Sequence, residues 1–359
     1  MKNSIALLSL ALFLLNSLSS QTTSNVSVSP RAIDALFREY DQPTVPGAAV
    51  ATIHDGKIIQ SRSYGLASLE EKQPVTGATN FRLASVTKQF TAVAILILAE
   101  RKKLSLDDPL AKFFPRLPSR VHGIKIRHLL NHTSGIVDYE SLMPDTQSVQ
   151  VLDRDVLALL EQADSTYLPA GSKFRYSNSG YALLALVVEA VSGQSFAQFL
   201  QRNFFVPLNM NDTVARETNT VVANRAYGYT RSGSGFVFAD QSSTSAVLGD
   251  GGIYSSVDDL FIWDQALYSD KLVSWTTLQL AMSPTTVTDT AAFRYGYGWY
   301  VADYGALKTV FHTGSSRGFR NAIIRIHEKR FTVIILTNRN KGRPIEMARQ
   351  IVGLYFTQH

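Results

Sequence analysis

The chain has 359 residues, 45% of them hydrophobic and 18% charged, enough apolar material for one large or two modest cores and too little charge for a disordered chain. Its net charge of +6 comes from scattered Lys and Arg with no long like-charged block, so no nucleic-acid partner is expected. The complete absence of cysteine excludes disulfides, thiolate catalysis and Cys-ligated zinc or iron–sulfur centres.

Residues 1–20 read as a signal peptide. Lys2 supplies the positive end, Ile5 to Leu15 a short apolar run, and Ser17, Ser19 and Ser20 the small residues a peptidase needs. That run is shorter than the ~20 residues of a membrane span. The expectation is an exported protein, periplasmic or secreted, with no stable membrane span once the signal is cleaved. A membrane-tethered scaffold with an uncleaved N-terminus is the competing outcome.

A polar leader over 21–28 precedes a helix near Ser29-Pro30, with Ile33, Leu36, Phe37 and Tyr40 on one face. Two β-rich runs from Ala48 to Tyr64 flank Asp55-Gly56, a hairpin signal. Helical patterns then dominate at 85–101, 154–162, 178–192 and 195–203. A glycine-rich break at Gly249-Asp250-Gly251-Gly252 leads to a helix at 257–268. Strands are expected at Tyr295–Val301, Lys308–His312, Asn321–His327 and Phe331–Thr337, the last two joined at Glu328-Lys329-Arg330. A closing helix begins near Pro344 and carries Ile345, Ala348, Ile351, Val352 and Tyr355. Strands at both ends and helices between them imply an α/β plus α fold. Its sheet region is 29–80 and 250–359, its helical region 81–249, and a site is expected in the cleft between them.

Three motifs carry chemistry. Ser85-Val86-Thr87-Lys88 is the S-x-x-K of the chain and opens an apolar helix, so Lys88 projects beside Ser85 about one turn on. A serine hydroxyl needs a base to become nucleophilic, and a desolvated lysine can serve. The helix N-terminus adds partial positive charge where an oxyanion would develop. Tyr176-Ser177-Asn178 follows a turn at Pro169-Ala170-Gly171; a tyrosine whose pKa is lowered by nearby cations can shuttle protons, and Asn178 can orient Lys88 or a substrate amide. His312-Thr313-Gly314 ends a strand whose free N–H groups can bind a substrate edge to edge, with Gly314 allowing close approach. Taken singly, each also fits a bland reading: a serine cap with a solvated lysine, a packed tyrosine beside an Asn cap, an ordinary strand end.

In this order and spacing the three motifs resemble the class C β-lactamase-like serine hydrolases, the family of penicillin-binding D,D-peptidases, D-aminopeptidases and family VIII-type carboxylesterases. Val45-Pro46-Gly47, His128-Leu129-Leu130-Asn131-His132-Thr133-Ser134-Gly135, Pro207-Leu208-Asn209-Met210 and Gly249-Asp250-Gly251-Gly252 look similar too, so the likeness spans about residues 30–357. It implies the β-lactamase/D,D-peptidase-like fold: an antiparallel sheet from both chain ends, flanked by helices, with an inserted mainly helical domain. It also implies Ser85 as nucleophile, Lys88 as its base and Tyr176 as proton carrier to the leaving group. The backbone N–H groups of Ser85 and Ser315 would form the oxyanion hole. Asn178, His312, Thr313 and Gly314 would bind and orient the substrate, and no metal or cofactor is needed. His312 stands where class C β-lactamases usually carry lysine, and a mostly neutral imidazole lowers the expectation of strong β-lactamase activity.

The implied function is a serine acyl hydrolase working through an acyl-enzyme on a D-amino-acid-containing peptide or related amide or ester. A β-lactamase, a carboxylesterase and a non-catalytic peptidoglycan- or ligand-binding protein on the same fold are the alternatives. Two rival patterns remain. Gly314-Ser315-Ser316-Arg317-Gly318 matches a nucleophile elbow but is followed by a strand pattern rather than a helix. His128 and His132 have zinc-ligand spacing but lack the glutamate of H-E-x-x-H.

Overall fold

The computed structural model describes residues 28–290 and 292–356; the expected signal peptide lies outside them. An eight-stranded sheet forms the frame. Across it the strands run Thr286–Val287, Arg294–Tyr295, Tyr300–Tyr304, Leu307–Ser316, Phe319–Ile326, Phe331–Thr337, Ala48–His54 and Lys57–Tyr64. Every pairing in it is antiparallel. The N-terminal hairpin therefore docks beside the last strand, Ala48 opposite Thr337, and the sheet is built from both chain ends as the sequence implies. Asp55 and Gly56 make the hairpin turn, both at positive φ (47° and 75°), the conformation a two-residue turn requires.

Both faces of this sheet are covered, and the strand alternation sorts them. Ala48, Val50, Ile324, Ile326, Val333 and Ile335 pack against the terminal helices Pro30–Leu36 and Pro344–Phe356, through Ile33, Phe37, Ala348, Ile351 and Val352. Ala49, Ala51, Ile53, Ile323, Ile334 and Leu336 face the larger core shared with the central helices. There, Lys88–Glu100 is buried on all sides from Lys88 to Leu98, which is why its sequence reads apolar around its whole circumference. Helix Asn178–Ser192 packs against it, capped by the Ser177 hydroxyl at its start and closed by Gly193 in the left-handed conformation. Among the described residues no single helix is long and apolar enough to cross a membrane.

The structure departs from sequence expectation in four places. The strand expected at Tyr295–Val301 is two short strands with a turn between them. Gly298 sits at φ +88°, and a Cβ on Gly296 would lie 2.1 Å from the Ala281 carbonyl oxygen. The strand expected to stop at His312 continues to Ser316, so His-Thr-Gly lies inside a strand rather than at its end. Residues Ala84–Thr87, around Ser85, form a 3-10 turn before the α-helix proper. The segment expected as one helix at 195–203 changes winding at Gln201–Phe205 before ending at Asn209. Short pairings were also missed: Phe81–Arg82 and Val214–Ala215 flank Ile253–Ser255, and Tyr229–Ser232 pairs with Gly235–Phe238. Strands of two to four residues leave too little alternation to be seen in sequence.

Candidate active site

Ser85 is delivered by a tightly constrained segment. Strand Phe81–Arg82 pairs with Ile253–Ser255, Leu83 N–H donates to the Ile253 carbonyl (2.8 Å), and Ala84 then turns through φ +49°. A non-glycine residue in that region is uncommon and holds only where its surroundings fix it. Buried Asn321 provides part of that fixing: its amide donates to the carbonyls of Arg82 (2.8 Å) and Leu83 (3.2 Å), and its own oxygen accepts from Thr337 N–H. Strand Leu307–Ser316 passes so close that a Cβ on Gly314 would lie 2.0 Å from the Leu83 carbonyl oxygen. The glycine of His-Thr-Gly is thus required by close approach to the segment that carries Ser85. Gly314→Ala is expected to cost about 1–3 kcal/mol, read as a lower urea midpoint with an unchanged slope. An unaltered midpoint would mean the two backbones separate freely.

Lys88 is fully buried. Its Nζ lies 2.8 Å from Asn178 Oδ1, 2.9 Å from the Asp250 carbonyl oxygen and 3.2 Å from Ser85 Oγ. A neutral amine has two N–H groups and one lone pair. The two carbonyl-type oxygens accept both N–H groups, so the lone pair is left for the serine hydroxyl. Burial pulls the lysine well below its ordinary range, against the opposing pull of the Asp250, Glu140 and Asp138 carboxylates. Tyr176 completes the group: its hydroxyl is hydrogen-bonded to Ser85, and Lys88 Nζ stands 4.9 Å from its ring centre. Here the expectation of a lowered tyrosine pKa is corrected. Burial, helped by the same carboxylates, pushes the phenol upward, so at neutral pH it carries its proton.

Ser85 and Asn178 open onto a cleft whose lining also includes Ser315, Asp250, Glu140 and Arg82, with Lys88 buried beneath it. Tyr300 pairs with Phe311, and its strand reaches no further, so, among the described residues, 312–316 present a strand edge with no sheet neighbour on that side. Thr313 is half-buried and Ser315 exposed along this edge.

The matching family profile is Beta-lactamase, which covers residues 33–355. The chain belongs to the Beta-lactamase family. Penicillin-binding protein 4* of Bacillus subtilis is 32% identical over 88% of this chain and 73% of its own length. Protein flp of Staphylococcus aureus is 28% identical over 87% of this chain; the match spans 64% of flp, under two thirds of it. Among solved structures, the octameric penicillin-binding protein homologue from Pyrococcus abyssi superposes with a TM-score of 0.81 at 25% identity, over 92% of this chain and 78% of that one. The D-amino acid amidase from Ochrobactrum anthropi SV3 complexed with D-phenylalanine gives 0.78 at 22% identity, over 92% and 99%, a likeness of fold alone. This Beta-lactamase family member thus has the family and the fold that its motifs imply.

Within the Beta-lactamase frame, His312 differs from expectation. It is 1% exposed and both ring nitrogens are taken by the protein: Nδ1 lies 2.7 Å from the Thr313 carbonyl oxygen and Nε2 2.9 Å from the Tyr295 hydroxyl. A carbonyl only accepts, so Nδ1 carries the proton and Nε2 accepts from Tyr295. Burial drops its pKa to about 3, leaving it neutral across the working range. Both ring nitrogens are thus engaged within the protein, tying the strand to Tyr295. His312→Lys would bury an ammonium without an acidic partner and strip Tyr295 of its acceptor. A loss of about 3 kcal/mol or more in chemical unfolding is expected, and a wild-type midpoint would contradict this placement.

The rival patterns resolve structurally. Gly314 to Gly318 runs from a strand into a turn, and a second strand, Phe319–Ile326, follows in place of a helix. His128 sits in the short helix Ile126–Leu130 and accepts from Lys125 N–H, while His132 lies 4.2 Å from the Tyr176 ring and accepts from Ser177 N–H. His132 is thus a buried support for the tyrosine. Sequence reasoning missed several supports besides. Asp138 accepts from both Ser177 Oγ and Asn178 N–H, holding the Tyr-Ser-Asn segment in place. Asp153 accepts from Leu248 and Gly249 N–H, and Glu140 from the Asn178 amide. Only Asp250 carried a usable signal, a carboxylate set among three glycines.

Proposed function

We propose that this chain is a serine acyl hydrolase that works through a covalent acyl-enzyme, with a D-amino-acid-containing peptide or related amide as substrate and small esters as side substrates. The observation that carries the reading is the buried lysine amine whose two donors are absorbed by Asn178 and Asp250 while its third direction meets Ser85 Oγ. Ser85 Oγ attacks the substrate carbonyl carbon and its proton passes to Lys88. The resulting oxyanion lies toward the N–H groups of Ser85 and Ser315. As the C–N or C–O bond breaks, the protonated Tyr176 delivers a proton to the leaving group and is replenished from Lys88. Water then attacks the acyl carbon by the reverse sequence and frees Ser85.

The free edge of strand Leu307–Ser316 supports an extended, peptide-like substrate, since backbone groups without a sheet partner can accept one more strand. The name of the relative Penicillin-binding protein 4* supports a substrate of the penicillin-binding class. The test is a panel of D-alanyl and L-alanyl p-nitroanilides, a D-Ala-D-Ala peptide, a p-nitrophenyl ester and a penicillin. Hydrolysis of the D-configured amides well above their L counterparts is expected. Equal rates on both enantiomers would overturn the substrate reading, and a parent silent on the whole panel would favour the non-catalytic binding protein.

We also propose export, on the signal-like pattern of residues 1–20. A mature chain beginning near residue 21, by intact mass, is the expected result; a chain retaining Lys2 and the apolar run would contradict it.

A further inference from the structure

We propose that the Asp250 carboxylate is a positioning group that sets the charge state of the Lys88 amine, and thereby the pH range in which Ser85 is activated. This rests on the reading of Ser85 and Lys88 as nucleophile and base.

The backbone around Asp250 is fixed from four directions. Asp153 accepts from Leu248 N–H (2.8 Å) and Gly249 N–H (3.0 Å), which anchors the short turn Leu248–Gly251. Thr91, on the Lys88 helix, donates to the Gly249 carbonyl at 2.7 Å. A Cβ on Gly249 would lie 2.2 Å from the Tyr181 carbonyl oxygen, and one on Gly251 3.5 Å from Ala84. The turn is therefore wedged between the two central helices and the nucleophile segment. Its Asp250 carbonyl accepts from Lys88 Nζ at 2.9 Å, and the Asp250 side chain lines the cleft. That side chain is 7% exposed, and its one side-chain partner is the Tyr139 hydroxyl at 3.2 Å.

The other groups around Lys88 do not substitute for it. From its own turn comes the Ser85 hydroxyl, and from helix Asn178–Ser192 come the Asn178 amide and Tyr181 (5.4 Å from ring centre), all uncharged. Tyr176 stands over it as a neutral phenol, and His132 and His312 are buried neutral imidazoles. The remaining charges are Asp138, committed to Ser177 and Asn178; Glu140, exposed and bound to the Asn178 amide; and Arg82, which faces Asp250. Among the charged neighbours Asp250 exerts the strongest pull on Lys88.

A nearby anion favours the ammonium form, which cannot accept the serine proton. Asp250→Asn keeps the backbone carbonyl and an acceptor for Tyr139 but removes the charge. Lys88 then gives up its proton at lower pH, and the rising limb of the kcat/KM profile moves down by about one pH unit or more. Tyr139→Phe weakens the stabilisation of the anion and shifts the limb the same way by less, which keeps the proposal testable where Asp250→Asn folds poorly. A merely structural role would lower kcat/KM at every pH and leave the limb in place. With Ser85→Ala measured alongside, the outcomes separate. Inactive Ser85→Ala with a shifted limb in both other variants supports the proposal. Inactive Ser85→Ala with limbs coincident with the parent overturns it. Active Ser85→Ala overturns instead the nucleophile reading beneath it.

Discussion

Ser85→Ala is expected to reduce hydrolysis of a p-nitrophenyl ester by about 10,000-fold or more, the scale seen when a nucleophile is removed from a cooperative serine site. The substitution removes one oxygen from a segment whose shape does not depend on it. The Ala84 turn is held by Asn321, by the Ile253 pairing and by the pressure of Gly314. Stability should accordingly stay within about 0.5 kcal/mol of the parent. Loss of activity with retained folding separates a chemical role from a structural one. Ser316→Ala is the matched control, since Ser316 is the serine at the centre of the competing G-x-S-x-G pattern; residual activity confined to Ser85→Ala would move the nucleophile there.

Lys88→Met carries the second largest effect. Removing a general base costs about 100- to 10,000-fold, and kcat is expected to fall with little change in KM, because Lys88 is fully buried and touches Ser85 rather than the substrate. Methionine replaces the stem volume but leaves Asn178 Oδ1 and the Asp250 carbonyl without their donor, so a stability loss of about 1–3 kcal/mol should accompany it. On the proposed mechanism the amine must be neutral to act, and burial has lowered its pKa to about 8. Activity therefore climbs as pH rises toward and through that region and is lost as the amine takes up its proton below it. A parent profile flat from pH 6 to 9 would show that another group accepts the serine proton.

Much of this arrangement was legible in the sequence, for identifiable reasons. The 85–101 run reads apolar on every side because the helix is enclosed on every side, and the Asp55-Gly56 turn is visible because only a few residues tolerate positive φ. Ser85, Lys88 and Asn178 could be paired because one helical turn and one loop motif place them, and the structure brings them within hydrogen-bond distance. What stayed hidden depends on contacts between residues far apart in the chain. Asn321 supports the carbonyls of Arg82 and Leu83 from 238 or more positions away, and Asp153 anchors a turn 95 residues on. No local spacing encodes such contacts. The Tyr176 expectation erred because it let nearby cations set the phenol's proton affinity, whereas burial governs it; His312 is neutral as expected, but through burial.

The most direct test of the covalent mechanism is to treat the parent protein with a p-nitrophenyl phosphonate ester, whose adduct on an activated serine does not turn over, and to map the modified peptide by mass spectrometry. One phosphonyl group on Ser85, with release of one equivalent of p-nitrophenol and loss of esterase activity in step, is the predicted result. Labelling of Ser316 or any other residue in its place, or full loss of activity without a covalent adduct, would contradict the account.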